Sequence, residues 1–433
     1  MDLFFDFLSL LDDLLWTYIS LAVILFSGIY FTISSKFFQF RSVFKISSHV
    51  KELIQCAEKG KEGLHPIKLY FASVGGMVGI GNIVTVMAAV TMGGPGSLVW
   101  LWMASFCGML VKYSEIYLGI KYRVSDNKGG YNGGPMYYLQ TAFGNKFLSY
   151  IVCILLCIYG AEVAQFLIVT DTIVSTTGSN RYLVIGVLLV LVMLAAVGGV
   201  SRLANICSTL MPPFIICYVL IGLWVIFDHA AELPSVLKVI VQSAFSGHAP
   251  VGGFVGSTIL LAAHYGVSRA VYSGDIGIGY DSTVQSETQT LYPERQARMA
   301  IFGLFTDSFI CTITILIALL TGVWQAENLQ PSEYISVALS DYIAHIDIFT
   351  MCLFFVAAYT TIVGYLVVGQ KCAQFISPKF GKVVYIIYSM FAFIVFSFQT
   401  QEKVILVMSV SGGLLMLINI LGVFKLRKDI KFL

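Results

Sequence analysis

Charged residues are scarce in this chain. Only 12% of its 433 residues are Asp, Glu, Lys or Arg, whereas 58% are hydrophobic. A typical soluble domain carries roughly 25% charged residues, so this composition excludes an ordinary water-soluble fold. The net charge of +2 is also too small to indicate a nucleic-acid-binding surface. Apolar runs of about 20 residues recur along the whole length, which predicts one polytopic membrane domain over residues 1–433.

Patterns of catalysis and metal binding are missing as well. The nine cysteines form no CxxC pair and the six histidines show no ligand spacing, so we expect no transition-metal site. No GxxxxGK[ST] motif is present, which argues against a phosphate loop. No convergent set of nucleophile, base and metal ligands is recognisable in the sequence, and an enzyme is therefore not expected.

The apolar runs between turn signals predict about eleven transmembrane helices. Their approximate cores are 14–35, 70–92, 96–120, 147–170, 182–201, 209–227, 252–274, 297–324, 346–370, 383–399 and 403–424. The first of them, 14–35, is read as an additional helix that precedes two larger groups. The acidic, lysine-free start of the chain is the wrong flank for a cleavable signal peptide, so this first helix is expected to be retained.

The basic residues predict the orientation. A run of them from Lys36 to Lys68 separates the first two spans, and the positive-inside rule places this loop in the cytoplasm. The N-terminus is then outside and the C-terminus cytoplasmic, with all basic residues but three on the inner side, Lys112 and Arg269 included. The sequence thus predicts a multi-pass protein of the inner or plasma membrane, embedded in the lipid bilayer. Residues 37–54 fit either an amphipathic helix on the inner surface or a solvated loop.

Four glycines interrupt the second apolar run, in the segment Gly75-Gly76-Met77-Val78-Gly79-Ile80-Gly81-Asn82. Each Gly costs about 1 kcal/mol relative to Ala in a helix interior and tolerates positive φ. Hydrocarbon offers no water to a freed backbone group, so unwinding occurs only where protein or a polar cavity receives that group. The cluster therefore predicts a discontinuous helix and a binding site at membrane depth. Close helix packing through small residues is the alternative.

A second cluster, Ser273-Gly274-Asp275-Ile276-Gly277-Ile278-Gly279, stands at the end of the seventh predicted span. Spans two to six (70–230) and seven to eleven (250–424) form two halves, each of which opens with a Gly-interrupted helix. Since each half has an odd number of spans, the two halves have opposite orientations. This pattern is typical of inverted-repeat secondary transporters, whose substrate and ion sites lie between two discontinuous helices.

The ends of the broken helices suit a zwitterionic ligand. A half-helix N-terminus carries about +0.5 charge and attracts a carboxylate, whereas the opposed carbonyls attract a cation. Side-chain oxygens near the breaks also suit sodium or a substrate ammonium group. They belong to Asn82, Ser273, Thr360 and Thr361.

Several motifs resemble one known family across nearly the whole chain. They include Gly79-Ile80-Gly81-Asn82-Ile83, Gly93-Gly94-Pro95-Gly96, Gly133-Gly134-Pro135-Met136-Tyr137-Tyr138 and Tyr292-Pro293-Glu294-Arg295-Gln296. In order and spacing they resemble the alanine or glycine:cation symporter family, also called sodium:alanine symporters or D-alanine/glycine permeases. The first motif is also similar to the unwound first core helix of neurotransmitter:sodium symporters. The resemblance implies an all-α fold of five plus five inverted helices with two discontinuous ones.

The resemblance also implies roles for individual residues. The carbonyls of Gly75 and Val78 and the hydroxyls of Thr360 and Thr361 would form one sodium site. Asn82 would serve a second sodium ion or the substrate carboxylate. The implied substrate-binding residues are Gly79, Ile80, Gly81, Asn82, Gln165, Ser273, Asp275 and Gly277. Na⁺ is the implied coupling ion, and H⁺ is the alternative.

The chain departs from the family pattern at three places. Where Ser-Asn-Glu-Ala-Gly is usual at the second break, this chain has Ser273-Gly274-Asp275-Ile276-Gly277. Tyr365 stands where a Trp is usual, and Gln370 where a Glu is usual. These departures leave the choice of substrate and the number of ions open. The oligomeric state is open too, and a monomer is compatible with the sequence.

Intramembrane carboxylates need a partner or a function, because each charge costs about 2.5–3.5 kcal/mol at a helix centre. Glu115 is expected to pair with Lys112, three residues earlier on the same helix. Glu162 either lines the cavity, couples a proton or makes a structural hydrogen bond. Asp307 either pairs across helices or touches an ion. Asp275, next to the second break, is a candidate gate partner of Arg269.

These observations predict sodium-coupled import of a small neutral amino acid, alanine and/or glycine in the L or D form, by alternating access. Coupling would arise because ion and substrate occupy adjacent parts of one unwound region, so that each stabilises the geometry that the other needs. A proton-coupled amino-acid transporter and a non-transporting amino-acid receptor are the alternatives.

Overall fold

Helices dominate the chain. The computed structural model describes residues 2–55, 62–126, 129–246, 259–326 and 329–433. Within these ranges the strands are confined to one short antiparallel pair, β1 (Val124–Ser125) and β2 (Tyr131–Asn132). The predicted all-α class is confirmed. The start of the expected seventh span, 252–258, lies outside the described residues.

The first membrane helix is longer than the predicted 14–35. It comprises α1 (Asp2–Leu14), a π-helical turn at Leu15–Ser20 and α2 (Leu21–Ser34). Its apolar part reaches from Phe4 to Ser34. The prediction started too late because Asp12 and Asp13 lower the local hydropathy. The following segment, which the sequence left open between helix and loop, forms α3 (Phe38–Val43) and α4 (Ile46–Gln55).

Nine helices follow in the first half of the described core. They are α5 (Pro66–Met77), α6 (Val84–Gly93), α7 (Ser97–Lys121), α8 (Pro135–Phe143), α9 (Phe147–Tyr159), α10 (Val163–Thr177), α11 (Arg181–Val197), α12 (Gly199–Asp228) and α13 (Leu233–Ser246). The predicted spans at 182–201 and 209–227 correspond to α11 and to the longer α12, which contains Pro212 and Pro213.

Eight helices make up the second half of the described core. They are α14 (Ile259–Gly274), α15 (Tyr280–Val284), α16 (Pro293–Ala297), α17 (Met299–Leu320), α18 (Tyr334–Leu339), α19 (Ile346–Ile376), α20 (Gly381–Phe396) and α21 (Gln401–Lys425). Short 3₁₀ turns occur at Ile80–Asn82, Gln285–Glu287, Val323–Gln325 and Arg427–Asp429.

Several of these helices are long and apolar enough to cross a membrane. Six qualify by length and composition among the described residues, and the bent pair Pro66–Met77 and Ile80–Gly93 makes a seventh if it counts as one span. The helices α11 and α20 are apolar but shorter. The chain is therefore a multi-pass membrane protein, while the count of eleven and the boundaries of the two halves stay predictions.

The interrupted helices lie at the centre of the bundle. Helix α5 packs against α12, α17 and α19, and α14 packs against α6, α7 and α17. Small residues permit this approach: a Cβ added to Gly266 on α14 would lie 2.7 Å from the Trp100 side chain on α7. Glycine therefore serves close packing as well as helix breaking in this protein.

Candidate functional site

The first break separates α5 from α6 with a bend of 55°. The N–H of Gly79 leaves the helical ladder and donates to the Met77 carbonyl (3.0 Å) and to Asn82 Oδ1 (3.1 Å). The Gly75 carbonyl, which would accept from Gly79 in a continuous helix, instead accepts from Thr361 Oγ1 on α19 at 3.0 Å. The predicted discontinuity is thus present, and Thr361 donates a hydrogen bond to the carbonyl that the break leaves free.

Two glycines of this break are needed for close approach. A Cβ on Gly79 would lie 2.6 Å from Thr361 Oγ1 and 2.9 Å from Gln165 Oε1. A Cβ on Gly81 would lie 3.1 Å from the ring of Tyr272. Any side chain at these positions would therefore fill the space in front of the unwound backbone.

The second break follows the end of α14, at the predicted end of the seventh span, and its residues are buried. Helix α14 ends at Gly274, and the chain resumes helical geometry in α15 after Asp275, Gly277 and Gly279 have adopted positive φ. The Asp275 carboxylate accepts from the N–H groups of Tyr280 (3.3 Å) and Asp281 (2.9 Å). It thereby caps α15, a helix of five residues that is too short to be recognised by hydropathy.

Side chains also form hydrogen bonds with other backbone groups of the second break. The Gly277 N–H donates to Glu115 Oε2 on α7 at 3.1 Å. Asn419 Nδ2 on α21 donates to the carbonyls of Gly277 (2.8 Å) and Ile278 (3.0 Å). This arrangement meets the condition for irregular backbone at membrane depth, which is tolerated only where protein supplies the missing hydrogen bonds.

Lys112 is buried beside the second break. Its Nζ lies 2.7 Å from Asp281 Oδ2 and 3.7 Å from Asp275 Oδ2. Glu115, its expected partner, instead accepts hydrogen bonds from Gly277 and from the Tyr138 hydroxyl (3.3 Å). The predicted Lys112–Glu115 pair is therefore wrong, because the folded second break brings two other carboxylates to the lysine.

Arg269 is not the partner of Asp275 among the described contacts. Besides Lys112 and the α15 backbone, Asp275 accepts a hydrogen bond from the Tyr365 hydroxyl at 3.2 Å. Arg269 lies within α14, more than a turn before the break, where its carbonyl accepts from Ser273 Oγ at 2.8 Å. Arg269 and Lys112 lie inside α14 and α7, which correspond to the predicted spans 252–274 and 96–120.

Asp307 on α17 connects the two breaks. Asn82 Nδ2 donates to Asp307 Oδ1 at 2.6 Å, and Ser273 Oγ donates to Asp307 Oδ2 at 3.1 Å. All three side chains are buried. Asp307 thus pairs across helices, through neutral donors that come from the first and the second break.

A third interruption was not predicted. Helix α9 ends at Tyr159 and α10 begins at Val163, with Glu162 at φ +49° between them. Glu162 Oε2 accepts from Gln165 Nε2 at 3.0 Å, while Gln165 Oε1 accepts from the Ile80 N–H at 3.3 Å. Gln165 therefore joins this interruption to the first break. Little in the sequence signals this interruption, because the only nearby glycine in the sequence is Gly160 and glutamate rarely adopts the positive φ seen at Glu162.

A small cavity of about 10 Å³ lies where the interruptions meet, with room for about one water molecule. It is lined by Gly76, Met77, Gly81, Tyr159, Glu162, Gln165, Tyr272, Ser273, Thr361 and Tyr365. The predicted substrate residues Gly81, Gln165 and Ser273 line it, and Gly79, Ile80 and Asn82 adjoin these residues. Asp275 and Gly277 are not among the lining residues. Tyr159 and Tyr272 were missed, since an aromatic residue on an apolar helix carries no local signal.

The residues of the expected sodium site are only partly assembled. Thr361 Oγ1 contacts the Gly75 carbonyl, and Val78 ends α5 nearby at φ −83° and ψ 84°. Thr360 Oγ1 faces its own helix, where it donates to the carbonyls of Val356 and Ala357 at 3.1 Å.

A larger cavity of about 900 Å³ follows α10 and α19 toward their predicted outer ends. Asp171 and Thr350 are among its lining residues, and Asp171 pairs there with Arg181 at 2.6 Å. With a rise of about 1.5 Å per residue, Asp171 lies about 9 Å along α10 from Gln165. The same two helices thus contribute residues to both cavities.

Comparison with known proteins agrees with this arrangement. A family model described as the sodium:alanine symporter family matches residues 1–432. The sodium/alanine symporter AgcS of Methanococcus maripaludis is 28% identical over 401 residues, which cover 88% of this chain and 86% of AgcS. The probable sodium/glutamine symporter GlnT of Bacillus subtilis is 27% identical over 432 residues, which cover 96% of this chain and 87% of GlnT.

Among solved structures, a Na⁺-coupled sialic acid symporter in a substrate-bound outward-open state has a similar fold. Its TM-score is 0.58 at 13% identity, with 96% of this chain and 87% of that chain covered. This similarity supports the predicted fold with discontinuous helices. At this level of identity it carries no information about the ligand.

Proposed function

This chain belongs to the sodium:alanine symporter family, and from that membership we propose that it imports a small neutral amino acid, alanine and/or glycine, together with sodium by alternating access. The observation that carries the proposal is the Gly75 carbonyl, which the first break frees and the Thr361 hydroxyl receives at 3.0 Å. Family membership also makes the protein a membrane transporter and not an enzyme.

The proposed sodium site lies between α5 and α19. Hard cations prefer carbonyl and hydroxyl oxygens, and Gly75 and Thr361 present one of each within hydrogen-bonding distance. The Val78 carbonyl and the Thr360 hydroxyl complete the set, the latter after turning away from the Ala357 carbonyl. An ion at this place would join the first break to the opposite half of the protein.

The substrate is proposed to bind at the small cavity next to this ion. Its carboxylate would face the half-helix N-terminus at Ile80–Asn82, where the macrodipole is positive. Asn82 would hold this carboxylate, or a second cation together with Asp307, which lies 2.6 Å away. The cavity of about 10 Å³, bordered by three tyrosines, supports a small substrate.

The proposal is tested by uptake of radiolabelled glycine, L-alanine, D-alanine and L-glutamine into proteoliposomes. An inward sodium gradient is compared with an equal potassium gradient. Accumulation that requires sodium is expected, with the order of uptake ranking the substrates. Binding without accumulation of any of them would point to a receptor and overturn the proposal.

Proton coupling is the second candidate, and two buried carboxylates favour it. Neither Glu162 nor Asp307 has a lysine or arginine within 4 Å among the described residues, and both accept hydrogen bonds from neutral donors. A carboxyl group in such a place can carry a proton across the transport cycle. Uptake driven by a pH gradient in sodium-free medium would establish this mode of coupling.

A further inference from the structure

Glu162 is a buried carboxylate without a cationic partner in the described part of the chain. Its side chain is 1% exposed and receives one hydrogen bond, from Gln165 Nε2 at 3.0 Å. Among the described residues that line the small cavity, Glu162 is the only acidic or basic one. A buried charge without a partner costs several kcal/mol, so a cation that enters this cavity is stabilised by Glu162.

The other carboxylates near the two breaks are already engaged. Asp275 lies 3.7 Å from the Lys112 ammonium and caps α15. Asp307 accepts from Asn82 and Ser273. Glu162 is therefore the carboxylate that the fold leaves for a ligand of this cavity.

Three tyrosine rings stand around the same space. The rings of Tyr159 and Tyr272 have centroids 6.0 Å apart with an interplanar angle of 69°, and those of Tyr159 and Tyr365 lie 5.3 Å apart at 63°. The three rings that line the cavity are thus strongly tilted against one another, and one face of Tyr365 is stacked on Tyr280. Aromatic faces attract a cation within about 6 Å of the ring centroid, and several rings beside a carboxylate form a site for an ammonium group.

The cavity is electrically polarised as a result. On one side stands the unwound first break, whose Ile80 N–H is directed toward Gln165. Gln165 connects this break to Glu162, which lines the cavity together with the tyrosine rings. A zwitterion can satisfy both sides at once, with its carboxylate toward the break and its nitrogen toward the carboxylate of Glu162.

We propose that Glu162, with Tyr159, Tyr272 and Tyr365, binds the positively charged nitrogen of the transported substrate. The inference rests on the proposed function and deepens it, because it makes Glu162 a specificity-determining residue. The substrate class is then a small compound with a carboxylate and a charged nitrogen. A hydroxy acid of the same size, which places a neutral hydroxyl before Glu162, is rejected.

The test compares L-alanine with L-lactate, which differ by an ammonium group in place of a hydroxyl. Each is used to compete with sodium-driven uptake of radiolabelled L-alanine, and each is used separately to stabilise the purified protein in detergent against heat. In the unsubstituted protein, alanine is expected to act at a concentration at least about 100-fold below that of lactate.

Glu162→Gln removes the charge but keeps the shape and an acceptor for Gln165. It is expected to raise KM for alanine by about 30-fold or more with a smaller change in maximal rate, and to reduce the alanine-to-lactate ratio below about tenfold. Glu162→Asp keeps the charge and should retain selectivity even if KM rises. Glu232→Gln, an exposed carboxylate-to-amide change, is the matched control and should change neither quantity.

The outcomes separate this inference from the proposed function. Sodium-driven accumulation by the unsubstituted protein, combined with an unchanged KM and an unchanged selectivity in Glu162→Gln, overturns the inference and leaves the proposed function in place. If the unsubstituted protein accumulates no amino acid, the proposed function fails, and heat stabilisation still decides the inference. Equal stabilisation by alanine and lactate overturns the inference. A Glu162→Gln variant in which only the pH dependence of uptake has changed also overturns it. If Glu162→Gln does not fold, the inference is decided by the alanine-to-lactate selectivity of Glu162→Asp and of the unsubstituted protein.

Discussion

Nδ2 of Asn82 lies 2.6 Å from Oδ1 of Asp307, so the first unwound segment is tied to α17 by a buried hydrogen bond. The second carboxylate oxygen accepts from Ser273, which comes just before the second break. One carboxylate therefore contacts both interrupted helices. Any rearrangement of either break changes the environment of Asp307, which makes this side chain a place where the two halves are coupled.

Asp307→Asn should strongly lower the apparent affinity of uptake for sodium. The substitution keeps the volume but removes the charge and places an amide donor opposite Asn82, so the sodium concentration for half-maximal uptake is expected to rise about tenfold or more. Ser308→Ala, the next residue on α17, is the control, because within the described part of the chain its hydroxyl donates only to the Leu304 carbonyl. Equal sodium dependence in both variants would show that Asp307 takes no part in ion coupling.

Thr361→Val and Thr360→Val should differ. Thr361 Oγ1 contacts the freed Gly75 carbonyl as well as the Ala357 carbonyl of its own helix, whereas the carbonyls near Thr360 Oγ1 belong to its own helix. Loss of the Thr361 hydroxyl is therefore expected to raise the half-maximal sodium concentration by about tenfold, and loss of the Thr360 hydroxyl by less. The measurement is uptake as a function of external sodium at constant ionic strength. A larger effect of Thr360→Val would move the ion away from the Gly75 carbonyl.

Gly79→Ala should abolish most uptake. The new Cβ would lie 2.6 Å from Thr361 Oγ1, so the unwound segment and α19 must separate. Gly186→Ala on α11 is a suitable control, since among the described residues no atom beyond the adjacent helix backbone lies within 4 Å of the added Cβ. It is expected to keep full uptake and to gain about 0.5–1 kcal/mol in stability from helix propensity. Both variants are compared at equal amounts of folded protein, and normal uptake by Gly79→Ala would contradict the described packing.

Lys112→Met should destabilise the protein by about 3–5 kcal/mol, because it leaves the buried carboxylates of Asp281 and Asp275 without their cation. Thermal unfolding in detergent measures the effect. Lys121→Met serves as the control: its pair with Asp429 is about one-third exposed, so the loss should stay within about 1 kcal/mol. Adding Asp281→Asn to Lys112→Met should restore part of the stability. If the double variant is no more stable than Lys112→Met, Lys112 does not stabilise the protein through its pair with Asp281.

The two breaks were predictable from the sequence because glycine acts locally. Gly75, Gly79 and Gly277 signal backbone freedom wherever they occur, and the hydropathy around them places the freedom inside the membrane. The partners of the breaks were not predictable in the same way. Lys112 meets Asp281 and Asn82 meets Asp307 across more than 160 residues of chain, and no local pattern specifies such a meeting.

Two further features could not be predicted from local sequence patterns. The interruption at Glu162 depends on a non-glycine residue at φ +49°, a conformation that tertiary contacts impose against local preference. The extension of the first helix to Phe4 was missed because hydropathy counts the carboxylates of Asp12 and Asp13 against a span.

The two breaks treat their freed carbonyls differently. At the first, the Gly75 carbonyl meets a neutral hydroxyl, which a diffusible ion can displace or join. At the second, the Gly274 carbonyl accepts from the Lys112 ammonium at 2.5 Å, so the positive charge is covalently tethered to the chain. The second break therefore carries its charge compensation on a side chain of the protein itself, whereas the first break leaves a neutral contact that an ion can replace. The two breaks are thus electrically unequal.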